Sequence, residues 1–475
     1  MRVEIGKKKG VFVVPVYSDD NKLHFFGTKN NDLKEKIKHE LKSYNYDGKK
    51  ETTLFLKVGN EKVLLVGVNQ GCGAEDLRRS YSVAYKGLKA RKEENAVIEV
   101  PKETEKEVKA VIEGLDLSDY KFDKYIKEKE EKDIELNVSL DVNKKFERLL
   151  KETLLINEKV KFTRDLVNEN SIDKPPQKIA EMVSNYAHRK KLKYTVLDEK
   201  QIKAKGLNLI WAVGKGSQFP PRLIIAEYNG NPKSKEKIAL VGKGVVFDTG
   251  GTNLKPTGYI EDMKIDMAGA ATCFAAFMAA VELELKKNLI LVIPSVENAI
   301  SGSSFKPGDF LISYSGLGVE VGNTDAEGRL ILADAISYVQ ENYRPTKIID
   351  LATLTGACTV ALGTNITGLF VNDEDLKKGL TKAGEETSER VWELPLADEF
   401  RDQMKSKFAD IKNDGDRYGG ASQGAAFIER FIQKGIKWAH LDIAGPAKSK
   451  KEQFYIPEYA TGRGVRLLVY FLKNE

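Results

Sequence analysis

The chain has 475 residues, of which 41% are hydrophobic and 31% are charged. This length and composition predict two or three domains with buried cores, which excludes disordered, collagen-like and small disulfide-stabilised proteins. The 76 lysines and arginines nearly balance the 70 aspartates and glutamates, so the net charge of +6 does not imply binding to nucleic acid.

The first 142 residues alternate strand-like and helical patterns, which predicts an N-terminal α/β domain. Two β-rich runs lie within Thr53–Val68 and another lies within Ala96–Val100. Leu77–Arg91 and Glu103–Leu115 have helical periodicity instead.

A long amphipathic helix is predicted next, over residues 143–169, because apolar side chains recur there at intervals of three and four. We interpret it as the connection between two domains. Pro175 and Pro176 mark the entry to a larger domain, residues 170–475, in which strand-like and helical runs alternate. The predicted fold class is α/β, with a central mixed β-sheet flanked by helices in this larger domain. Its strand-like runs are Leu207–Val213, Leu223–Tyr228, Lys237–Gly242, Leu289–Pro294, Ile348–Leu354 and Leu467–Phe471.

The most apolar segment, Met267–Val281, is 15 residues long, whereas a membrane-spanning helix needs ~20. We therefore expect a buried helix and no membrane partner. Cys72, Cys273 and Cys358 are widely spaced without a CxxC pair, which indicates a reducing compartment. The first 15 residues contain no apolar run of signal-peptide length, so we expect a cytoplasmic location.

Histidine is scarce, and this excludes several catalytic mechanisms. The sequence has 4 histidines and contains no HExxH, no paired Cys/His spacing and no GxSxG, so zincin, zinc-finger and α/β-hydrolase chemistry lack their residues. We interpret His440, in the apolar run KWAHLDIAG, as a core histidine. Carboxylates and lysines in glycine-rich turns, concentrated between residues 243 and 329, are the remaining candidates.

The first cluster of candidates follows a strand that ends near Gly242. Lys243 and Asp248 project there among glycines, which allow a backbone to approach a ligand closely. A phosphate-binding loop is the alternative, although GxxxxGK[ST] is not matched. The second cluster includes Lys255 and Asp266, just before the apolar helix, and Asp266 alone is as consistent with a helix N-cap as with a ligand.

The third cluster is the sequence NTDAEGRL, which lies between a short strand and a helix. In an extended segment Asp325 and Glu327 would point to the same side, and a cation must then lie beside them. With Arg329 as that cation, the cluster would be an ion-pair network. Asp248 and Asp266 raise the number of carboxylates to four, which two metals ~3.5–4 Å apart can share through bridging. The residues therefore favour two-metal hydrolysis.

At these residues the chain resembles the leucyl aminopeptidase family of cytosolic two-metal exopeptidases. Asn323–Leu330 matches the family signature at every position, and the resemblance covers essentially all of residues 160–475. The N-terminal domain resembles the family only in its α/β character and its position. The resemblance implies a metal-dependent aminopeptidase that releases N-terminal amino acids from peptides, preferentially leucine and similar apolar residues.

The resemblance also implies two sites for divalent metal ions in each subunit. The tight site would use Lys243, Asp248, Asp266 and Glu327. The exchangeable site would use Asp248, Asp325 and Glu327, so that Asp248 and Glu327 bridge the metals. Lys243 must be neutral to bind a metal, which requires a lowered pKa. Such oxygen and nitrogen ligands suit Zn, Mn or Co, and the sequence does not choose among them.

Lys255 and Arg329 are the catalytic residues that the resemblance implies. Water activated by the metals would attack the first peptide carbonyl, and Lys255 would stabilise the oxyanion. Arg329 would hold a bicarbonate ion that acts as general base. The implied substrate-binding residues are Met263, Asn323, Thr353, Leu354 and Gly356. The implied partners are peptide substrates and five further copies of the chain, in a homohexamer.

Two other functions remain as alternatives. One is a catalytically idle scaffold that binds nucleic acid, and the other is a two-metal phosphoesterase whose carboxylates clamp a phosphoryl group. Four positions depart from the family pattern: Thr249 and Asn253 replace serines, Ile265 replaces a frequent aromatic residue and Tyr459 replaces a frequent glycine. None of them removes a proposed ligand, so they bear on substrate preference more than on reaction class.

Overall fold

The chain forms two compact units in the computed structural model, which describes residues 1–6, 8–20, 22–26, 30–128 and 134–475. Unit 1 comprises Met1–Lys161 and Lys450–Glu458, and unit 2 comprises Phe162–Ser449 and Tyr459–Glu475. Both units combine sheets with helices, which confirms the predicted α/β class.

Unit 1 is built on one mixed sheet. Its strands are β1 (Arg2–Ile5), β2 (Val11–Asp19), β3 (Lys22–Phe25), β4 (Thr53–Val58), β5 (Glu61–Gly67), β6 (Asn95–Ile98) and β7 (Asn137–Leu140). Over the part of unit 1 that the structure describes, the strand order is β1-β7-β6-β2-β5-β4, and β3 pairs with β2. The helices are α1 (Asn31–Leu41), α2 (Ala74–Ala90), α3 (Glu105–Asp116) and α4 (Glu147–Asn168), and the last contains the point where the chain passes from unit 1 to unit 2.

Two hydrophobic clusters cover the two faces of this sheet, because side chains alternate along each strand. On β5, Leu64 and Val66 belong to the cluster formed with α2 and α3, whereas Val63 and Leu65 belong to the cluster formed with α1. The sequence positions of these apolar residues therefore fix which helix packs on which face.

Unit 2 contains a larger mixed sheet, the main sheet, and two small sheets of three and two strands. Its strands are β8 (Lys193–Leu197), β9 (Arg222–Asn229), β10 (Ile238–Gly242), β11 (Gly244–Asp248), β12 (Asn288–Asn298), β13 (Phe310–Ile312), β14 (Gly318–Glu320), β15 (Lys347–Ala352), β16 (Thr367–Val371), β17 (Val391–Glu393), β18 (Ile411–Lys412), β19 (Lys437–Asp442), β20 (Lys448–Ser449) and β21 (Tyr459–Ala460). Its helices are α5 (Pro176–Arg189), α6 (Glu199–Ala204), α7 (Asn208–Gly214), α8 (Ala268–Glu282), α9 (Glu327–Tyr343), α10 (Gly356–Leu362), α11 (Glu374–Thr387), α12 (Asp398–Gln403), α13 (Gly420–Glu429) and α14 (Val465–Asn474). The main sheet has the order β17-β16-β19-β15-β10-β12-β9-β8, and β11 also pairs with β12.

Four neighbouring strands of this sheet, β19, β15, β10 and β12, run parallel to one another. Their carboxyl ends therefore meet at one edge, which is where ligands bind in sheets of this kind. Helices cover both faces. Ala239 and Val241 of β10 pack in the cluster that contains α9, whereas Leu240 points to the opposite face, where α8 packs.

Two strand predictions for unit 2 are wrong. Leu207–Val213 lies in α7 except for its first residue, and Leu467–Phe471 lies within α14. Short apolar runs do not distinguish a buried strand from a buried helix, so distant contacts decide. Asp334 accepts hydrogen bonds from the first turn of α7, and Glu389 accepts them from the first turn of α14.

The apolar helix after residue 266 is buried, as predicted. Met263–Glu282 is long and apolar enough to cross a membrane by length and composition, but 94% of its most apolar part lies inside the protein. A core helix of a globular protein has the same properties.

Asp334 on α9 anchors two other segments of unit 2. Its buried carboxylate accepts the backbone N–H groups of Leu209 at 2.7 Å, Ile210 at 3.2 Å and Tyr314 at 2.8 Å. Burial raises the pKa of Asp334 to about 7, although the three donors oppose this shift.

We predict that Asp334→Ala lowers the free energy of unfolding by about 1–3 kcal/mol, because buried N–H groups lose their acceptor. The loss should depend on pH. The native state holds the Asp334 proton more tightly than the unfolded state does, since the ordinary pKa is 3.8. The contribution of Asp334 is thus largest below about pH 4 and declines as pH rises through about 7. Urea unfolding of both proteins across this range measures the difference.

Asp373→Ala is the control, because the stability contribution of Asp373 should depend on pH in the opposite direction. Asp373 accepts the N–H of Leu376 at 2.9 Å as the N-cap of α11, and its ion pair with Lys437 lowers its pKa. Its contribution is present above the ordinary pKa and is lost as pH falls. A loss at Asp334 that did not vary with pH would contradict the raised pKa.

Candidate metal centre

The predicted site residues converge at the carboxyl edge of the main sheet. Lys243 follows β10, Asp248 ends β11 and Thr353 follows β15. The helices complete the site from either side, because Asp266 lies two residues before α8 and Glu327 is the first residue of α9.

Lys243 occupies the centre of one half of the site. Its Nζ atom lies 2.8 Å from Asp266 Oδ2 and 2.8 Å from Glu327 Oε1, and it donates a hydrogen bond to the carbonyl of Thr353 at 3.0 Å. Thr353 in turn donates its hydroxyl hydrogen bond to Asp266 Oδ1 at 2.7 Å. All three charged side chains are almost completely buried.

Lys255 joins the carboxylates of the other half. Its Nζ atom lies 2.9 Å from Asp248 Oδ2 and 2.5 Å from Asp325 Oδ1. Asp248 is held on its second oxygen by Asn298 Nδ2 at 2.8 Å and by the N–H of Gly250 at 2.9 Å. Asp325 is the most accessible of the carboxylates, since 33% of its side chain is exposed.

The carboxylate oxygens fit divalent cations. Asp248, Asp325 and Glu327 offer oxygen atoms that lie within 4.8 Å of one another. Among the residues that the structure describes, none donates a hydrogen bond to Glu327 Oε2, whereas Asp266 Oδ2, Asp325 Oδ1 and Glu327 Oε1 each have a lysine Nζ atom within 2.8 Å. Four carboxylates against two lysines leave an excess of negative charge that one or two divalent ions would neutralise.

Burial and mutual repulsion raise the pKa of the Asp248, Asp266 and Asp325 carboxyls. Burial also opposes the charge on Lys243, but the neighbouring carboxylates outweigh it and raise the pKa of Lys243 overall. The lowered pKa that metal binding by Lys243 requires is therefore not produced by these protein groups alone. A metal would have to displace the lysine proton.

Two glycines allow the backbone to approach the charged groups closely. A Cβ atom on Gly328 would lie 2.6 Å from Lys243 Cε, so only glycine admits the lysine here. Gly250 has φ of +85°, and a Cβ atom there would lie 2.8 Å from Asp325 Oδ1. The glycine-rich turns of the sequence thus make room for side chains as well as for a ligand.

Three alternatives for these clusters are wrong. Lys243 is followed by β11 and no helix, which excludes a phosphate-binding loop. Asp266 does not cap α8, whose N-cap is Met267. Arg329 donates to the carbonyl of Asn413 at 2.8 Å and is not the ion-pair partner of Asp325.

The predicted geometry of the third cluster also needs correction. Asp325 lies in a turn and Glu327 begins α9, so the two carboxylates do not lie on one side of an extended segment. The two carboxylates lie close together because Asp325 is held in the turn and Glu327 in the first turn of the helix. Arg329, two residues into the same helix, is buried, and burial lowers the pKa of its guanidinium.

The predicted substrate-binding residues border this cluster. Met263 lies in the 3₁₀ helix Met263–Ile265 that precedes Asp266. Leu354 lies in the turn that leads from β15 into α10, and Gly356 is the first residue of α10. A Cβ atom on Gly356 would meet nothing within 4 Å. Asn323 uses its amide oxygen to accept the N–H of Asp325 at 2.8 Å, so it has a supporting contact of its own.

Several supporting residues were not predicted. Asp442, at the end of β19, accepts the N–H of Leu354 at 3.2 Å and the hydroxyl of Thr355 at 2.7 Å. It lies two residues after His440, which pairs with Asp350 at 2.5 Å in the core, as expected of a core histidine. The position of Asp442 at the carboxyl end of a strand was the available signal. Asn413 lies in an irregular segment, and no sequence pattern marked it.

Comparison with known proteins identifies the family. The cytosol aminopeptidase family catalytic domain matches residues 161–469, and the N-terminal domain of the same family matches residues 13–129. The chain belongs to the cytosol aminopeptidase family. This confirms the resemblance found in the sequence and extends it to the N-terminal domain.

Individual relatives agree with this assignment. A probable cytosol aminopeptidase of Protochlamydia amoebophila (strain UWE25) is 41% identical and covers 100% of this chain and 98% of its own length. One of Aquifex aeolicus (strain VF5) is 40% identical, with coverage of 99% and 97%. The solved structure of the bottromycin maturation enzyme BotP in complex with Mn has a TM-score of 0.86 at 28% identity and covers 98% of this chain and 99% of its own.

Membership in the cytosol aminopeptidase family establishes the general activity. The chain is a metal-dependent aminopeptidase, a hydrolase that acts on peptides. The carboxylate cluster at the sheet edge is where unit 2 offers oxygen ligands to a metal.

We predict that Mn²⁺ or Zn²⁺ raises the melting temperature of the chelator-treated protein, because a ligand that binds only the native state stabilises it. The free energy of unfolding rises by about 2.7 kcal/mol at a free ion concentration of one hundred times Kd. Scanning fluorimetry measures the shift, and Glu327→Gln should reduce it.

Glu429→Gln is the matched control. Glu429 pairs with Arg401 at 2.7 Å outside the cluster, so this variant should keep the full metal-induced shift. An undiminished shift in Glu327→Gln, measured against its own metal-free form, would show that the cation binds elsewhere.

Proposed function

We propose that the protein is a leucyl aminopeptidase that holds two divalent metal ions, Zn or Mn, in the carboxylate cluster. The observation that carries this proposal is the convergence of four carboxylates on two lysines, which leaves an excess of negative charge and a buried Glu327 oxygen, Oε2, to which no described residue donates a hydrogen bond. The Mn present in the BotP structure supports manganese as one of the two candidates.

Each carboxylate has a proposed place in the two sites. Lys243, Asp248, Asp266 and Glu327 would hold the tight ion, and Asp248, Asp325 and Glu327 would hold the exchangeable ion. The accessibility of Asp325 agrees with this division, because it is the most exposed of the four carboxylates. When bound, the two ions would supply an activated water and polarise the peptide carbonyl.

The protein groups supply charge and orientation around the reacting bond. Lys255, whose ammonium group lies at the more open end of the cluster, would stabilise negative charge on the carbonyl oxygen. Asp266 would attract the free α-amino group of the substrate, which restricts cleavage to the first residue. Arg329 would hold bicarbonate, since its Nε–H donates no hydrogen bond to any residue that the structure describes.

The residues that border the cluster support the proposed preference for leucine. Met263, Thr353, Leu354 and Gly356 are apolar or small, and the space beside Gly356 is open. With Asn323, they would form the pocket for the N-terminal side chain, and an aliphatic side chain would bury its surface there.

We also propose the wider organisation. Residues 1–142 would form the N-terminal domain, 143–169 the connecting helix and 170–475 the catalytic domain. Six chains would assemble into a homohexamer in the cytoplasm.

The assay that tests the function is release of p-nitroaniline from leucyl p-nitroanilide. We expect turnover with Mn²⁺ or Zn²⁺, none after exhaustive chelation, and recovery when the ion returns. The N-acetylated substrate should resist cleavage, because it lacks the free amine that Asp266 attracts. Cleavage of a phosphate ester instead would favour the phosphoesterase.

We predict that Lys255→Ala lowers kcat by a factor of about 10² or more, because an oxyanion-stabilising charge is lost. The metal-induced rise in melting temperature should remain, since Lys255 is not a proposed ligand. Lys347→Ala is the control, because Lys347 pairs with Glu236 at 3.2 Å at the other end of β15. Normal turnover in Lys255→Ala would refute its assigned role.

A further inference from the structure

A single tyrosine contacts the residues on both sides of Met263. Tyr459, in β21, donates its hydroxyl hydrogen bond to Asp262 Oδ1 at 2.6 Å. The centre of its ring lies 5.4 Å from Lys264 Nζ, within the range of a cation–π contact. Met263 is therefore flanked by two residues that the same side chain holds.

The two neighbours of Met263 are fixed by further contacts. Asp262 also forms an ion pair with Lys448 of β20. The backbone carbonyl of Lys264 accepts a hydrogen bond at 2.8 Å from Lys174, a lysine with 1% exposure. The turn that carries Met263, residues 262–264, is thus attached to the β20–β21 ribbon on one side and to Lys174 on the other.

The backbone of Tyr459 shows that its position is imposed. Its φ is 70°, in the left-handed region that bulky residues rarely adopt. Such conformations persist only where the surrounding structure determines them. Here β20 and β21 pair Ser449 with Tyr459 and Lys448 with Ala460. The ribbon therefore holds the ring and hydroxyl against the turn.

Asp266, three residues beyond Met263, is held independently. Its carboxylate accepts the Thr353 hydroxyl and lies beside Lys243. Loosening of the turn would consequently displace Met263 more than it would displace the Asp266 carboxylate.

We propose that Tyr459 is a positioning residue that sets the place of Met263 relative to Asp266 and thereby the preference for the N-terminal side chain of the substrate. This inference rests on the proposed function, in which Met263 borders the side-chain pocket and Asp266 attracts the α-amine. A leucine side chain reaches further into that pocket than an alanine side chain, so it depends more on Met263.

Tyr459→Phe tests the proposal, because it keeps the ring and the backbone and removes only the hydroxyl. We expect kcat/KM for leucyl p-nitroanilide to fall about three- to ten-fold through KM, the size of effect expected when one hydrogen bond of typical net strength is lost. The kcat value, and both constants for alanyl p-nitroanilide, should change by less than about two-fold. If Tyr459 had a merely structural role, the variant would lower kcat/KM equally for both substrates. The leucine-to-alanine ratio of kcat/KM would then be unchanged.

Tyr343→Phe is the matched control. Tyr343 donates its hydroxyl hydrogen bond to Thr195 and ends the helix that Glu327 begins, about 24 Å away at 1.5 Å per residue. The ratio of the two substrates should not change in this variant.

Hydrogen exchange supplies a readout that does not depend on activity. The N–H groups of Ile265 and Asp266 donate to Asp262 and Met263 carbonyls at 2.9 and 3.3 Å. Tyr459→Phe should speed exchange in residues 263–266 and leave α9 unchanged. Unchanged exchange in residues 263–266, or an unchanged leucine-to-alanine ratio of kcat/KM in an active enzyme, would overturn the proposal. If the wild type lacked turnover with every metal, the proposed function would fail and the exchange measurement would decide the positioning role.

Discussion

The packing of four carboxylates, three of them buried, against two lysines is the constraint on which the organisation of unit 2 depends. Removing ions from water costs several kcal/mol each unless they are paired, and breaking a buried pair leaves an uncompensated charge. Lys243 and Lys255 each lie between two carboxylates. Because these carboxylates come from different segments, a shift of any one segment exposes a charge imbalance. The cluster therefore holds the elements of the site together while it keeps oxygens available to cations.

The fold offers a favourable place for such a cluster. Parallel strands end at the same edge, and the helices that follow them begin there, so partial positive charge from helix N-termini accumulates on that side. Glu327 lies in the first turn of α9 and Asp266 lies just before α8. Backbone dipoles thus support negative charge at the same edge where the lysines neutralise it. Divalent ions would add to an environment already arranged for opposite charges.

The sequence predicted the charged residues of the site better than their arrangement. Glycine-rich turns and the segment Asn323–Leu330 identified each proposed ligand, because close approach of backbone and side chain needs those residue types locally. The extended geometry assumed for Asp325 and Glu327 was wrong, since the start of α9 is set by packing in the core. Leu207–Val213 was assigned to a strand for a related reason. Its helix depends on Asp334, more than 100 residues away, and no local pattern reports such a contact.

The residues that support the site share a property: each acts through another residue. Asp442 holds the turn that contains Leu354, Asn413 holds Arg329, and Tyr459 holds the neighbours of Met263. Their partners lie about 80 to 200 residues away, so only the folded chain brings them together. The charged residues that indicate a reaction class can be recognised in a short sequence motif. In the function proposed above, substrate preference is set partly by supporting residues such as these, which can change without altering any proposed ligand. Variation at the supporting residues would therefore modify the proposed pocket while the charge cluster stays the same.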